Sequence, residues 1–335
     1  MASAISFPVR SPQWVLTYQG VHITADTAAM VESISYTDRL SDFSGEIELI
    51  VEDHTRKWQS SWYPGLGDQI SLSIGYRNEG LLPCGDFQID QLELAGPPDT
   101  FTIRCLAASI TPAMRTRNSL GYENQTLLGV VRTIAGKYGL IVISAPDDID
   151  LLFERVTQKY ESDLSFLKRL ALEHGFEFTI RGSNLVFYSR ATLEGVTAVQ
   201  TVSREDLERY TFRNRTHSTY SGAQLTHHDP KTKSLIAQSV VTTVPTVTSD
   251  ILKLVTRCEN GQQATVKAAA ALGTHNMSVT EASLVMPGSI AMAAGNPIEL
   301  SGFGEFDGKY LTTMAQHRIQ RSRGYTTHLE VSRVF

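Results

Sequence analysis

Residues 161–178 read ESDLSFLKRLALEHGFEF, and this stretch predicts an amphipathic helix that passes directly into a strand. Ser162 is placed to cap the helix, and Asp163 puts negative charge at the positive end of the helix dipole. Gly175 supplies the left-handed backbone conformation with which many helices end. Apolar residues recur at spacings of three and four, which predicts one buried face made of Leu164, Leu167, Leu170 and Ala171.

The same helix-then-strand plan occurs once earlier in the chain. Residues 124–144 read NQTLLGVVRTIAGKYGLIVIS, with one apolar helix face, Gly139 as the terminator and LIVIS as the following strand. After the later helix the chain reads FEFTIRG, and the Gly182-Ser183 pair predicts a tight turn into a second strand, NLVFYS. We therefore predict a small α+β module over residues 111–198.

The sequence before this module is typical of short strands. VHIT, IELIVED, DQISLSIGY and FTIRCLAAS are rich in β-branched residues and alternate roughly with period two, and turn residues separate them. Strands spaced in this way predict a barrel or a sandwich over residues 1–110. The chain is therefore expected to be mainly β with an α+β insertion.

Residues 199–335 return to the β pattern. The strands ERYTFRNRT, YSGAQLTHHD and SLIAQSVVTTV precede an Ala-rich helix that is predicted near residues 262–273. Asp307-Gly308 predicts a two-residue hairpin turn, because both residues accept the positive φ that such a turn requires. The outgoing strand is expected to place three side chains on one face: Tyr310, Thr312 and Met314.

The charge content narrows the classes of function. Charged residues make up 19% of the chain, below the roughly 25% that is typical of soluble domains. Either much of the surface is buried against other subunits, since interface cores are depleted in charge, or exposed strand faces carry Thr and Ser instead. The net charge is −5, and Lys and Arg form no long run, which argues against nucleic acid as the main ligand.

Cysteine usage and the apolar stretches indicate where the chain is made. Cys84, Cys105 and Cys258 lie far apart without metal-binding spacing, which favours a reducing compartment and buried thiols. The N-terminal residues 1–14 do not have the pattern of a secretory signal. Residues 284–294 are the most apolar late stretch and are too short to span a bilayer. We expect a soluble chain made in the cytoplasm.

The densest polar cluster is His227-His228-Asp229. Two histidines and an aspartate could bind a metal ion. Adjacent residues of a strand point to opposite faces, however, so the two imidazoles cannot easily share one ion. We interpret the cluster as the end of a strand that turns at Pro230.

Two further candidates also favour structural interpretations. Asp147, Asp148 and Asp150 lack the alternation, glycine and closing glutamate of a calcium loop, so a solvated loop is predicted. Cys84 has no evident histidine or helix N-terminus to activate it, so a buried thiol is predicted. The nucleotide-binding, metalloprotease and serine-hydrolase motifs are missing, although a carboxylate pair for glycoside hydrolysis follows no spacing rule. No catalytic, cofactor-binding or metal-binding residue is assigned.

Three stretches, in this order, resemble one known family. They are WYPGLGDQISLSIGY at 62–76, the helix–strand unit at 161–178 with LVFYS after it, and FGEFDGKYLTTMAQHRIQRSRGYTTHLEV at 303–331. Together they resemble the late control protein D family of phages, which forms the baseplate hub of contractile tails. That family is related to the hub of T4-like phages and to the N-terminal part of the type VI secretion protein VgrG. The resemblance extends from about residue 15 to residue 334.

The resemblance implies an architecture and a structural role. It implies two tail-tube-like β-barrel domains, at 1–110 and 199–335, which the α+β module at 111–198 braces. Three copies of such a hub form a pseudo-sixfold ring that joins the sixfold tail tube to a threefold spike. The chain is accordingly expected to be a hub of a phage tail or of an R-type pyocin-like bacteriocin, without enzymatic activity or a cofactor.

The resemblance also implies a set of partners. VgrG continues into a spike, whereas this sequence stops at Phe335 after a barrel-like strand, so a separate spike protein is expected. The other expected partners are further copies of the chain in a homotrimer, the tail tube or a tube-initiator protein, and the baseplate wedge and tape-measure proteins. Neither specific nucleic-acid binding nor membrane insertion is expected, and assembly into the baseplate of a virion or bacteriocin follows synthesis in the bacterial cytoplasm.

Two other functions compete with the hub. One is a hub-type carrier of a contractile secretion system, whose outer face binds effector cargo. The other is a β-barrel cell-wall hydrolase, for which activity on purified cell wall would be the discriminating observation.

Overall fold

The computed structural model describes residues 10–41, 45–216, 219–229, 233–244, 248–277 and 279–335, and for Asp229 it describes the backbone alone. The chain is mainly β, as the sequence predicts, and 13 of the described strands form one continuous sheet. Strands of this sheet wrap around two separate hydrophobic cores. A third core belongs to an α+β region between them in sequence, and a fourth belongs to an inserted sheet.

The first part of the large sheet contains six main strands, which we call the first strand set. Alternate residues of its strands point into one core, for example Ile70, Leu72 and Ile74, each at most 2% exposed. This alternation confirms the period-two prediction for DQISLSIGY. The elements are β1 (Pro12–Tyr18), β2 (Val21–His22), α1 (Thr24–Thr27), β3 (Val31–Arg39), β4 (Glu46–Glu52), β5 (Gln69–Tyr76), β6 (Gly80–Ala95) and β7 (Thr100–Ala107). The short β2 pairs with β1 and is not counted in the set.

The middle region carries the predicted helix-then-strand units. The Ser162 hydroxyl accepts a hydrogen bond from the Ser165 backbone N–H, and Gly175 ends the helix at φ 75°. Both predictions for this helix are therefore confirmed, as is the antiparallel pairing of the strands on either side of Gly182-Ser183. The elements are α2 (Pro112–Arg115), β8 (Arg117–Thr126), α3 (Leu127–Lys137), β9 (Ile141–Ile143), β10 (Leu152–Ser162), α4 (Asp163–His174), β11 (Phe176–Arg181), β12 (Asn184–Ser189) and α5 (Arg190–Gly195).

The last part of the chain contains the second strand set, with a sheet and a helix inserted into it. The strands of the set are β13 (Thr201–Ser203), β14 (Arg209–Asn214), β18 (Thr280–Pro287), β19 (Pro297–Ser301), β20 (Gly308–Gln320) and β21 (Gly324–Arg333). The insertion, which we call the inserted sheet, consists of β15 (Gly222–Asp229), β16 (Ser234–Val241), β17 (Ile251–Val255) and the covering helix α6 (Gly261–Asn276). The helix predicted near 262–273 is thus confirmed, and the Asn260 side chain caps it by accepting the Gln263 N–H.

The two strand sets share one strand order. Across the sheet the first set runs β1-β5-β6-β7-β4-β3, and the second runs β13-β19-β20-β21-β18-β14. When each set is numbered along the chain, both orders become 1-4-5-6-3-2. All neighbours within the sets are antiparallel except β13 and β19, which are parallel. The chain therefore contains the same topology twice, and the domain boundaries at 110/111 and 198/199 stay a prediction.

Two local predictions in the second strand set are wrong. Asp307 has φ −63° and Gly308 has φ 132°, so the pair does not form the turn with two positive φ values. The cause is a 3-10 helix at Gly304–Phe306 whose end is held by the Asp307 carboxylate, which accepts the Phe303 N–H at 2.6 Å.

The prediction that Met314 shares a face with Tyr310 fails because β20 contains a bulge. The register of β20 against β21 shifts between Thr312 and Met314, so that Thr313 is an extra residue. A bulge of this kind reverses the side on which the following residues point. Ala315 consequently packs in the core of Tyr310, and Met314 lies outside that core.

Candidate interaction surfaces

A continuous β pairing joins the two strand sets. Residues 314–320 of β20 pair antiparallel with residues 33–39 of β3, in a register from Met314 opposite Arg39 to Gln320 opposite Ser33. We call this pairing the seam. Before the bulge β20 pairs with β19, and after the bulge the same edge of β20 pairs with β3. Because of the bulge, one edge of β20 pairs first with a strand of its own set and then with a strand of the other set.

Asp38 joins three parts of the chain at one end of the seam. Its carboxylate is 3% exposed and accepts bonds from Arg181 Nη2, at 2.8 Å to Oδ2 and 3.1 Å to Oδ1, and from the Ala294 backbone N–H at 3.1 Å. The same Arg181 nitrogen donates to the Ala294 carbonyl at 3.0 Å. Burial raises the pKa of Asp38, and the Arg181 charge opposes that rise. The first strand set, the middle region and the second strand set therefore meet at this ion pair.

Arg321 connects the two strand sets at the other end of the seam. Its Nη2 donates to the backbone carbonyls of Ala29 at 2.8 Å and Val31 at 3.0 Å, and its Nη1 donates to Glu52 Oε2 at 2.9 Å. The Arg321 backbone N–H also donates to the Glu32 carbonyl at 3.0 Å. A planar guanidinium with several donors suits such convergent binding of carbonyls and a carboxylate.

His317 is a fully buried polar residue in the middle of the seam. Its ring stacks on Tyr36 with centroids 6.1 Å apart, its Nε2 lies 2.9 Å from the Met292 carbonyl, and its Nδ1 lies 2.8 Å from the Tyr325 hydroxyl. Because a carbonyl can only accept, Nε2–H donates to it and Nδ1 accepts from Tyr325. Burial lowers the pKa of His317 to about 4, which keeps the ring neutral at physiological pH.

The inserted sheet exposes several apolar side chains on a face that also carries polar ones, such as Lys253 and Gln224. Its inner face packs on α6 through residues such as Leu225 and Ala268. On its outer face, Val241 on β16 and Val255 on β17 are 83% and 86% exposed, and Ile251 lies opposite Val241 across the middle strand. The row of Lys253, Gln224 and Ser239 separates Val255 from the Val241–Ile251 pair.

Among the described residues, His227 and His228 are not grouped with other potential metal ligands. His227 and His228 lie opposite Ile236 and Leu235 on β16, and the His228 side chain is exposed while His227 is half-buried. The Asp229 side chain and Pro230 lie outside the described residues, so the predicted turn there stays a prediction. Within the described part of the chain, no group of three or more His, Cys, Asp or Glu could hold a metal ion.

The predicted solvated loop around Asp147 is wrong for Asp148. Asp148 is buried, and its carboxylate accepts bonds from the Ser189 N–H at 3.1 Å and the Thr192 hydroxyl at 2.6 Å, at the start of α5. Asp150 accepts the Leu128 N–H at 2.9 Å, at the start of α3. These two carboxylates hold helix N-termini, where orphan N–H groups and the helix dipole favour negative charge.

The cysteines lie in apolar surroundings. Cys105 and Cys258 are buried, and Cys84 is half-buried, with its Sγ 3.6 Å from the Leu82 carbonyl. Burial raises the pKa of Cys84 and Cys258 and raises that of Cys105 to about 12. A thiol with a raised pKa has little thiolate at neutral pH and is a poor nucleophile.

Among the ranges that the structure describes, no helix is long and apolar enough to cross a bilayer.

Comparison with known families agrees with this architecture. The family model of the phage tail baseplate hub (GPD) matches residues 99–323, about two thirds of the chain. The chain belongs to this baseplate hub family. The resemblance inferred from the three ordered stretches is therefore confirmed.

Two curated relatives are phage baseplate proteins. The chain is 28% identical to the probable baseplate hub protein of Escherichia phage 186 over 228 residues, which are 66% of this chain and 58% of the relative. It is 27% identical to the probable baseplate hub protein of Escherichia phage P2 over 243 residues, which are 69% of this chain and 62% of the relative. The match therefore spans about 60% of the length of these relatives.

Solved tail proteins have the same fold at low identity. The 43 kDa tail protein of prophage MuSo2 from Shewanella oneidensis aligns with a TM-score of 0.73 and 16% identity, over 96% of this chain and 98% of that chain. A tail protein of Neisseria meningitidis aligns with a TM-score of 0.74 and 10% identity, over 96% and 97%. A type VI secretion component of E. coli aligns at 0.61 and 14%, over 96% and 77%. These likenesses show the fold alone.

The residues of the seam were not predicted from the sequence. Asp38 and Arg181 lie 143 positions apart, and Arg321 and Glu52 lie 269 positions apart. No spacing rule links residues at such distances. The one related property of the sequence is its low content of charged residues. That property does not distinguish these four residues from the other charged residues of the chain.

Proposed function

We propose that three copies of this chain form a ring at the distal end of a contractile tail and join the sixfold tail tube to a threefold spike. Each copy supplies two strand sets with one strand order, so three copies present six equivalent units to the tube. A homo-oligomer with closed cyclic symmetry needs the same interface at every junction. The repeated topology is the observation on which this proposal rests.

The seam supports the mechanical part of the proposal. A hub transmits force when the sheath contracts, so its two strand sets must move as one body. A seven-residue strand pairing, the ion pair of buried Asp38 with Arg181 and the convergent Arg321 contacts bind the sets to each other. The buried Asp38 carboxylate has its hydrogen-bond partners only in this arrangement of the sets, and a buried polar group without partners is costly.

The proposed partners follow from the position in the tail. A separate spike protein binds the threefold face, and the tail tube or a tube-initiator protein binds the sixfold face. Baseplate wedge and tape-measure proteins contact the periphery and the lumen. The role is structural and not catalytic, and the particle is a phage tail or a bacteriocin assembled in the bacterial cytoplasm. A net charge of −5 suits a ring that DNA passes without binding.

Electron microscopy of the purified chain tests this proposal. Class averages viewed along the symmetry axis are expected to show a ring with an open centre and six lobes in alternating pairs. Particles of the size of a single chain at every concentration would contradict the ring.

A second candidate function is a carrier of effector cargo in a contractile secretion system. Two highly exposed apolar side chains on the inserted sheet, Val241 and Val255, favour it, since a protein ligand would cover them. The fold is also shared with VgrG in the Francisella PdpA–VgrG complex, at a TM-score of 0.55 and 6% identity. Purified chain would then retain a candidate effector on an affinity column, and substitution of Val255 by Ser would weaken retention.

A further inference from the structure

The seam joins one strand of the second set to one strand of the first set, and the shared strand order identifies the two strands that would make the equivalent pairing. In the shared strand order, β20 is the fifth strand of its set and β3 is the second strand of the other set. The corresponding fifth strand of the first set is β6, and the corresponding second strand of the second set is β14. If both sets make the same contacts in a ring, β6 of one copy must meet β14 of another.

The bulge of β20 recurs in β6. The register of β6 against β7 shifts between Ile89 and Gln91, so that Asp90 is an extra residue in the position of Thr313. Before its bulge β6 pairs with β5, as β20 pairs with β19. After the bulge, residues 91–95 pair with β7 on one side, and no described strand pairs with their other edge. This is the edge that β20 uses to form the seam.

β14 has the open edge that would receive β6. It pairs with β18 on one side, and among the described strands none pairs with the other. In β3, the equivalent edge is covered by β20. Tyr210 and Phe212, which occupy the positions of Ile34 and Tyr36, are half-buried, whereas Ile34 and Tyr36 are buried at 0% and 8% exposure.

We propose that residues 91–95 of β6 in one copy pair antiparallel with residues 211–215 of the β14 segment in the neighbouring copy. The proposal rests on the proposed ring and specifies the strands that close it. We align β6 with β20 at their bulges and β14 with β3 by their shared position in the strand order. The register of the seam then gives one definite alignment of β6 with β14. It places Gln91 opposite Arg215, Leu92 opposite Asn214, Glu93 opposite Arg213, Leu94 opposite Phe212 and Ala95 opposite Thr211.

The side chains in this alignment are complementary. Glu93 faces Arg213, and both are exposed in the single chain. In the seam the same position holds Gln316 and Thr37, whose side chains are hydrogen-bonded at 3.2 Å. Opposite charges directly across an antiparallel pair are favourable. The edge of β6 also carries Asp90, and the β14 segment carries the further basic residues Arg209 and Arg215.

The apolar pair in the alignment gives a second, independent match. Leu94 is 51% exposed in the single chain. Its seam counterpart, His317, is fully buried against the ring of Tyr36, and Phe212 takes the position of Tyr36. Pairing would cover Leu94 with an aromatic ring. An open strand edge that carries such residues is a template for strand addition.

Disulfide cross-linking tests the register. Directly opposed residues of antiparallel strands have Cα atoms about 4.5–5.5 Å apart, within the range that a disulfide spans. The double variant Glu93→Cys plus Arg213→Cys, oxidised with copper-phenanthroline, is expected to give covalent dimers and closed trimers on a non-reducing gel. The unsubstituted chain, each single variant and the off-register pair Glu93→Cys plus Arg209→Cys are the controls and are expected to stay monomeric on that gel.

The native mass of the same samples distinguishes a failure of the proposed strand pairing from a failure of the proposed ring. A trimer without a cross-link in Glu93→Cys plus Arg213→Cys, or with an equal cross-link in the off-register pair, would overturn this strand pairing and leave the ring standing. A monomer would overturn both. A charge variant gives a second route: Arg213→Glu is expected to lower the trimer fraction at least several-fold, whereas Arg132→Glu on the exposed side of α3 leaves it unchanged.

Discussion

Asp38 on β3 and Arg181 on β11 form a two-point ion pair, with one guanidinium nitrogen 2.8 Å and 3.1 Å from the two carboxylate oxygens. The pair lies where the two strand sets and the middle region meet, because the Ala294 backbone bonds both partners. Three parts of the chain that are distant in sequence are thus held by groups that satisfy one another. In the proposed ring, this junction would hold the two strand sets together as one body.

Removal of the Asp38 carboxylate is expected to destabilise the protein. In Asp38→Ala the Ala294 N–H loses its acceptor, and Arg181 loses its carboxylate partner and keeps only the Ala294 carbonyl. We expect the free energy of unfolding to fall by about 2 kcal/mol, the range for hydrogen bonds to charged groups, measured by urea denaturation. The control Asp147→Asn, at an exposed carboxylate of the middle region, is expected to change it by less than about 0.5 kcal/mol. Equal stability of the two variants would show that the junction contributes nothing.

Acid is expected to destabilise the seam through His317. The pKa of His317 is about 4 in the folded chain and close to 6.5 in the unfolded chain. Between these values the unfolded state binds more protons. The contribution of neutral His317 to the free energy of unfolding is therefore fully present above the upper pKa and is lost as pH falls toward the lower one. The full effect is roughly 3 kcal/mol for one such histidine.

The variant His317→Gln separates this effect from general acid denaturation. Denaturant midpoints measured from pH 7 to pH 4.5 should fall less steeply in His317→Gln than in the unsubstituted chain. His174, which is buried with its pKa also lowered to about 4, accounts for part of the slope that remains. The exposed His228→Gln serves as the control and keeps the original slope. A His317→Gln slope equal to that of the control would contradict the assignment.

The packing beside the seam admits no side chain at Gly288. A Cβ at this position would lie 2.1 Å from Tyr325 Cδ1, and Tyr325 in turn donates to His317. Gly288→Ala is therefore expected to lower the thermal midpoint, with a cost of about 1–3 kcal/mol for overpacking. Gly136→Ala in α3, where a Cβ meets nothing within 4 Å, is expected to be neutral or to raise the midpoint, since Ala favours helices. A Gly288→Ala midpoint no lower than that of Gly136→Ala would refute this packing.

Local sequence was sufficient to predict elements whose determinants lie close together. The cap at Ser162, the apolar spacing and the end at Gly175 all fall within one helix, and the structure has each of them. The Asp307-Gly308 turn was predicted incorrectly because the Asp307 side chain bonds the Phe303 N–H. A backbone preference at two residues does not reveal that competing bond.

The seam could not be predicted from the sequence. It joins residues 33–39 to residues 314–320, and neither segment carries a signal that specifies the other. The bulge at Thr313, which makes the pairing possible, also has no marker such as glycine. The family resemblance implied two tube-like domains, and the shared strand order of the two sets became visible only from the pairing of strands in three dimensions.

The native mass of the purified chain tests the central claim most directly. Light scattering on the eluting peak is expected to give a trimer of about 111 kDa, three times the 37.0 kDa of one chain. The trimer should dissociate on dilution if the strand-edge contacts are modest in area. A mass of 37.0 kDa at the highest soluble concentration would contradict the proposed ring.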